Sequence, residues 1–202
     1  MFLVALTGNY GMGKSTVLSM FKDLAVATVD TDKLVESLFI EKKVLVKIKK
    51  LLGDRVFYKN GNLDKKKVAE IVFKDVSLRY SLEDILHPLV FERIKDFTNK
   101  ISVSDRLLII AVPLVYERGY ENRFDRTIVV YTKEEVAFDR LKKNGVLKKD
   151  AILRLKAQLP IEDKMKKADF LIDNNSTLKE TVAQVKRIYK KLMKDVDKSS
   201  TS

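Results

Sequence analysis

Residues 2–16 read FLVALTGNYGMGKST: an uncharged apolar run, three glycines, then Lys-Ser-Thr. Gly8, Gly13, Lys14 and Ser15 satisfy the pattern G-x-x-x-x-G-K-[ST]. A buried strand before it and a helix after it form the setting in which that pattern cradles phosphate. Successive backbone N–H groups make a concave nest for phosphate oxygens, and the following helix N-terminus adds partial positive charge. Glycine permits positive φ and leaves out side chains that would block the approach. Lys14 suits the β- and γ-phosphates, and the Ser15 hydroxyl suits Mg²⁺. Gly8, Asn9, Tyr10, Gly11, Met12, Gly13, Lys14, Ser15 and Thr16 are therefore the candidate nucleoside triphosphate site.

Four more short apolar runs follow: VATV (26–29), RLLIIAV (106–112), RTIVVY (126–131) and DFLID (169–173). With 2–6 they read as buried parallel strands. Helical spacing marks 14–24, 133–144, 148–159 and 177–193. Strands alternating with helices predict an α/β fold of the P-loop NTPase type, a parallel sheet flanked by helices. The stretch 33–100 interrupts that alternation with charged helical sequence. We expect a nucleotide-binding core of 1–32 and 101–202, with 33–100 as a helical acceptor-binding insertion. Asn60-Gly61 predicts a turn, His87-Pro88 a kink or break in its helix, and DVDKSSTS (195–202) a frayed end.

Charge and composition narrow the partners. The chain carries net charge +12, no cysteine and one histidine. A basic surface attracts polyanions, but KKVLVKIKK (42–50) and LKKNGVLKKD (141–150) read as solvated helix faces and turns. Helicase motifs are lacking, and the basic runs do not interleave with aromatics as a single-strand platform would. A nucleic-acid partner is therefore not expected. A multi-histidine zinc site is excluded. No apolar run approaches the roughly 20 residues of a membrane helix, and no leader is recognisable. Absent cysteine suits a reducing compartment, so a cytoplasmic protein is expected. A guanine-reading Asn-Lys-x-Asp element is missing, and strand 106–112 ends in Val112-Pro113 rather than in an acidic residue. Short length, acidic residues Asp30 and Asp32 after the second strand, and the helical insertion favour a small-molecule kinase.

Further motifs resemble the dephospho-coenzyme A kinase family over nearly the whole chain, in order. LTGNYGMGKST (6–16) looks like its LTGGIGSGKST, and VDTDKL (29–34) like its IDADxL. GNLDKKKVAEIVF (61–73), RYSLEDILHPLV (79–90) and VPLVYE (112–117) are similar to its LDR-bearing, LHPL-bearing and VPLLFE segments. ADFLIDNNSTLKE (168–180) looks like its AD-x-VIDN stretch. The resemblance implies ATP-dependent phosphorylation of the ribose 3′-hydroxyl of dephospho-coenzyme A, with Mg²⁺.

Roles carry over with it. Asp32 matches the catalytic aspartate, to orient the acceptor hydroxyl, take its proton or hold Mg²⁺ through water, alongside Ser15. Asp30 lies two residues earlier, on the same side of an extended segment; the competing reading of either residue is a helix N-cap. Arg140 matches a phosphate-clamping arginine at the start of a lid, taken as 140–167; the competing reading is an ion pair with Glu134, Glu135 or Asp139. Asn175 matches an adenine-side position, or is a turn residue. Arg79, His87 and Pro113 join Asp32 on the acceptor side, His87 having a helix break as its competing role. Glu117 either serves Mg²⁺ indirectly or supports its loop. Where the family usually has a further arginine stands Ile161, which leaves a second phosphate clamp to Lys164 or Lys167. A monomer or weak homo-oligomer is expected.

Overall fold

A computed structural model of the chain describes residues 1–101 and 105–199. Its strands are β1 (Phe2–Thr7), β2 (Ala27–Asp30), β3 (Leu107–Ala111), β4 (Arg126–Tyr131) and β5 (Phe170–Asp173). They form one parallel sheet in the order β2-β3-β1-β4-β5. Each sheet-forming run lacks alternation because both faces are covered. Val4, Leu6, Ile109, Ile128, Val130 and Ile172 point to one face, against α1 (Lys14–Lys22) and α9 (Leu178–Ser199). Ala5 and Val129 point to the other, where Ile161 and Met165 of α8 (Ile161–Lys167) pack. Helices α6 (Glu134–Lys143) and α7 (Lys148–Lys156) lie between β4 and α8 in the chain.

The order places β1 between β3 and β4, and successive connections leave β1 and β4 in opposite directions across the sheet. Open α/β sheets bind ligands at the carboxyl ends of the strands at such a switch point. The loop 8–13 leaves β1 there.

Two compact units divide the chain, Met1–Asp30 with Ile101–Ser202, and Thr31–Lys100. The division falls at Asp30, because α2 (Thr31–Leu38) begins immediately and packs on α5 (Val76–Lys100). Asp32 thus lies in the first turn of α2. The extended geometry expected to align it with Asp30 ends at the last strand residue. Helices α3 (Lys42–Leu52) and α4 (Lys65–Val72) also pack on α5. The turn at Asn60-Gly61 forms, with Phe57 bridged to Leu63 and Gly61 at φ 83.

Two expectations are corrected. Helix α5 runs unbroken through His87-Pro88. An interior proline costs about 3 kcal/mol, but Leu82, Leu86, Val90 and Ile94 are buried at four-residue spacing, each worth about 1.5–3 kcal/mol. Packing outweighs the lost hydrogen bond. Of the end expected to fray, 195–199 stay helical, and 200–202 lie outside the described residues. Val196 is buried there, and Asp195 and Asp197 pair with Arg126 and Arg106 at 3.1 and 2.8 Å. No helix among the described residues is long and apolar enough to cross a membrane.

Candidate active site

The loop after β1 has its glycines where geometry demands them. Gly8 has φ 143, and a β-carbon there would collide with the Val130 carbonyl at the end of β4. Gly13, at φ 95 in the left-handed region, caps α1 without a side-chain bond. A β-carbon on Gly13 would strike the Asn174 side-chain amide. The amides opening α1 are consequently not covered by a capping side chain. Lys14, in the first helical turn, folds back so that its Nζ donates to the carbonyls of Gly8 at 2.8 Å and Asn9 at 3.3 Å. Its charge therefore stands over the loop. Ser15 and Thr16 are exposed beside it.

Asn174, which sequence reasoning did not assign to the site, braces this loop from behind. It is 3 % exposed; Nδ2 donates to the Met12 carbonyl at 3.0 Å, and Oδ1 accepts from Thr181 at 3.1 Å. The Asn174 backbone carbonyl accepts from Arg140 Nη2 at 2.9 Å. That bond, rather than an ion pair with Glu134, Glu135 or Asp139, fixes the guanidinium. The other nitrogen, Nη1, is buried with no hydrogen-bond partner and lies 3.7 Å from where a β-carbon on Gly13 would sit. A buried cationic donor without a partner is costly. An anion at the glycine cradle would supply what it lacks, so the residues present fit a bound phosphate.

Asn175 turns elsewhere. Its Oδ1 accepts from the Thr132 hydroxyl and the Lys133 amide at 2.9 and 2.6 Å, and its Nδ2 donates to Asp173 at 2.6 Å. The side chain thereby ties the loop after β5 to the loop after β4.

Beneath the P-loop runs a second polar cluster. Asn9 Nδ2 donates to the Leu159 carbonyl at 3.1 Å, and the Tyr10 amide to Gln158 Oε1 at 2.9 Å. The Tyr10 ring lies under the Arg154 guanidinium, 4.7 Å from its centre. Glu117 Oε1 accepts from the Leu159 amide at 3.0 Å and from Lys164 Nζ at 2.6 Å. Lys164 is fully buried, and its burial pushes its pKa down against the opposing pull of Glu117. It is therefore no solvent-facing phosphate clamp. Lys167 lies over the Tyr116 ring, 5.8 Å from its centre. There it helps line a cleft of about 540 Å³ with Glu121, Phe124, Thr127 and Asp169. Thr127 and Asp169 stand at the amino ends of β4 and β5, so this cleft is on the edge of the sheet opposite the P-loop. Neither lysine takes the clamp position expected of them.

The family model described as dephospho-CoA kinase matches residues 2–180. A dephospho-CoA kinase of Aquifex aeolicus is 40 % identical over 193 residues, covering 95 % of this chain and 98 % of that protein. The chain belongs to the dephospho-CoA kinase family. Solved structures agree. A Thermus thermophilus protein, TT1252, superposes with a TM-score of 0.81 at 27 % identity, covering 95 % of this chain and 97 % of that one. The dephospho-CoA kinase from Campylobacter jejuni gives a TM-score of 0.66 at 25 % identity over 96 % of this chain and 98 % of its own.

This dephospho-CoA kinase family member carries its remaining candidate residues in the helical unit and the loop after β3. Arg79 pairs with Glu83 one turn on at 3.8 Å, and both side chains are largely buried. His87 is half-buried inside the continuous α5, which removes helix breaking as its role. Pro113 offers its carbonyl to Thr7 Oγ1 at 3.3 Å and to Lys164 Nζ at 3.4 Å. Asp32 is exposed at the start of α2, where a carboxylate is favoured by the helix dipole. Among the described residues no three His, Cys, Asp or Glu side chains cluster to hold a metal.

Proposed function

We propose that this kinase transfers the γ-phosphoryl group of ATP to the ribose 3′-hydroxyl of dephospho-coenzyme A, giving coenzyme A and ADP. The supporting observation is the family match over residues 2–180, which runs through both the P-loop unit and the helical unit. The 3′-oxygen attacks the γ-phosphorus, the bond to the β–γ bridging oxygen breaks, and ADP leaves with its electron pair. Asp32 orients the hydroxyl and accepts its proton. Such transfer needs positioning and charge neutralisation more than covalent chemistry.

The chain's own residues supply both. The cradle from Gly8 to Thr16 binds the phosphates, Lys14 neutralises the β- and γ-oxygens, and Arg140 meets the transferring group with the nitrogen that has no protein partner. Mg²⁺ entering with the nucleotide would add to the neutralisation of phosphate charge. Ser15 would hold it, with Asp32 through water. Asn175 sits on the adenine side by shaping the loops that carry Thr132 and Lys133. Arg79, His87 and Pro113 serve the acceptor, and 140–167 acts as the lid. Cytoplasmic location and a monomer or weak homo-oligomer complete the reading.

Turnover with Mg²⁺-ATP and dephospho-coenzyme A, adenosine, AMP or single-stranded DNA tests it. ADP release is expected with dephospho-coenzyme A alone, with one phosphate gained by mass. Release with another acceptor instead would overturn the assignment.

A further inference from the structure

A buried ion pair is seldom the best way to stabilise a core, because desolvation offsets much of the attraction; its best-attested use is to fix register. Glu117 and Lys164 form such a pair, with Lys164 fully buried and the Glu117 side chain 10 % exposed. Its location shows what it registers.

The contacts form a closed circuit. Lys164 Nζ reaches the Pro113 carbonyl at 3.4 Å, which also accepts from Thr7 Oγ1 at 3.3 Å, at the end of β1. Glu117 Oε1 joins Lys164 to the Leu159 amide. From Leu159 and Gln158 the circuit returns to the P-loop through Asn9 Nδ2 and the Tyr10 amide. Pro160 follows directly with φ −51, so the hinge between α7 and α8 is stiff.

The consequence falls on one peptide plane. The bond between Asn9 and Tyr10 is trans, so its N–H and C=O point in opposite directions. Gln158 holds the Tyr10 N–H at 2.9 Å. The Asn9 carbonyl on the other edge then faces inward, where it accepts from Lys14 Nζ and the Met12 amide, both at 3.3 Å. Rotation of this plane would remove a rest position of the phosphate-binding lysine and alter the path between Gly8 and Gly11. Donors that stabilise a transferring phosphate work when they are set beforehand.

We propose that Glu117 and Lys164 are positioning residues of the nucleotide cradle. Their ion pair pins the 158–160 hinge, and Gln158 passes that constraint to the Asn9–Tyr10 peptide and so to Lys14. The lid base and the phosphate nest are thus one mechanical unit. This rests on the kinase reading for the ATP site alone, and its main readout needs no acceptor.

The test is calorimetric titration of the full chain with Mg²⁺-ATP, without dephospho-coenzyme A, beside a thermal melt of each variant. Glu117→Gln is expected to weaken ATP binding about tenfold, a differential of one pairing interaction. Gln158→Leu is expected to do the same, and Gln158→Glu, which keeps the acceptor, to restore it. The double variant E117Q/Q158L should lose no more than either single one, since both act through the same peptide. In turnover, KM for ATP should rise while KM for the acceptor stays level. Lowered melting temperature with ATP affinity within twofold of the parent overturns the proposal, as do losses that multiply in the double variant. Should E117Q not fold, Q158L against Q158E decides by the same twofold criterion. Failure of the acceptor assignment would leave these titrations unchanged, so the two failures are distinguishable.

Discussion

The side-chain amide of Asn174 occupies the space that a β-carbon on Gly13 would need. One residue follows β5 and the other opens α1, 161 positions earlier in the chain, yet Asn174 leaves Gly13 no room for a side chain. Gly13→Ala therefore meets a clash as well as a left-handed backbone, which costs an L-residue roughly 1–2 kcal/mol. We expect ATP affinity to fall at least about tenfold. The double variant Gly13→Ala/Asn174→Ala should recover only part, because φ stays at 95. Full recovery in a binding titration would show that backbone strain contributes nothing.

Lys14→Ala should reduce kcat/KM by about 10²–10³, the usual loss when one charge-stabilising donor is removed. The melting temperature should change little, because Nζ is held by loop carbonyls rather than by core groups. Steady-state kinetics beside a thermal melt separates the two effects. Wild-type turnover in this variant contradicts the role given to the lysine.

Arg140→Lys keeps the charge but not the fork that bonds the Asn174 carbonyl while leaving Nη1 toward Gly13. Its kcat should drop about as far as that of Arg140→Ala, since the two side chains are not interchangeable at a forked site. Near-normal kcat for the lysine variant would mean that charge alone suffices.

The helical unit has its own pH signature. A hydrogen bond from Arg93 to Glu41 at 2.7 Å joins the start of α3 to α5 and holds the Glu41 carboxyl below its ordinary pKa, against slight desolvation. A lowered carboxyl pKa contributes stability that is present above the ordinary value and lost as pH falls through the folded one. Wild type should thus melt higher than Glu41→Gln at pH 7, and the gap should narrow as pH falls below the ordinary carboxyl range. A gap that does not narrow on acidification would assign the difference to packing.

Much of this architecture is legible in the sequence because buried strands and phosphate loops announce themselves locally. All five strands lie within about a residue of their apolar runs, and Gly8 to Ser15 sits between β1 and α1 as the motif requires. What was not legible depends on distant partners. Asn174 and Gln158 are ordinary loop polar residues until the fold sets them 3.0 and 2.9 Å from P-loop groups 162 and 148 positions away. Pro88 misleads for the same reason, since the stripe that carries α5 through it is stabilised by α2, α3 and α4. The end of α9 reads as a polar tail because Arg106 and Arg126, which hold Asp197 and Asp195, lie far upstream.

Deleting 195–202 tests that last point. It removes buried Val196, worth about 1.5–3 kcal/mol, along with both ion pairs. For a chain of this size each kcal/mol moves the melting temperature by about 2–4 °C, so a fall of about 5–10 °C is expected by calorimetry. An unchanged melt would return the segment to the frayed tail that its composition suggests.

Phosphoryl transfer to the ribose 3′-hydroxyl can itself be followed directly. The most direct measurement incubates the full chain with Mg²⁺ and ATP labelled in the γ-phosphate, adds dephospho-coenzyme A, and locates the label in the product by phosphorus NMR. One labelled phosphate per acceptor is expected, on the ribose 3′-oxygen, in step with ADP formed. Label released to water, or placed on another hydroxyl of the acceptor, would contradict it.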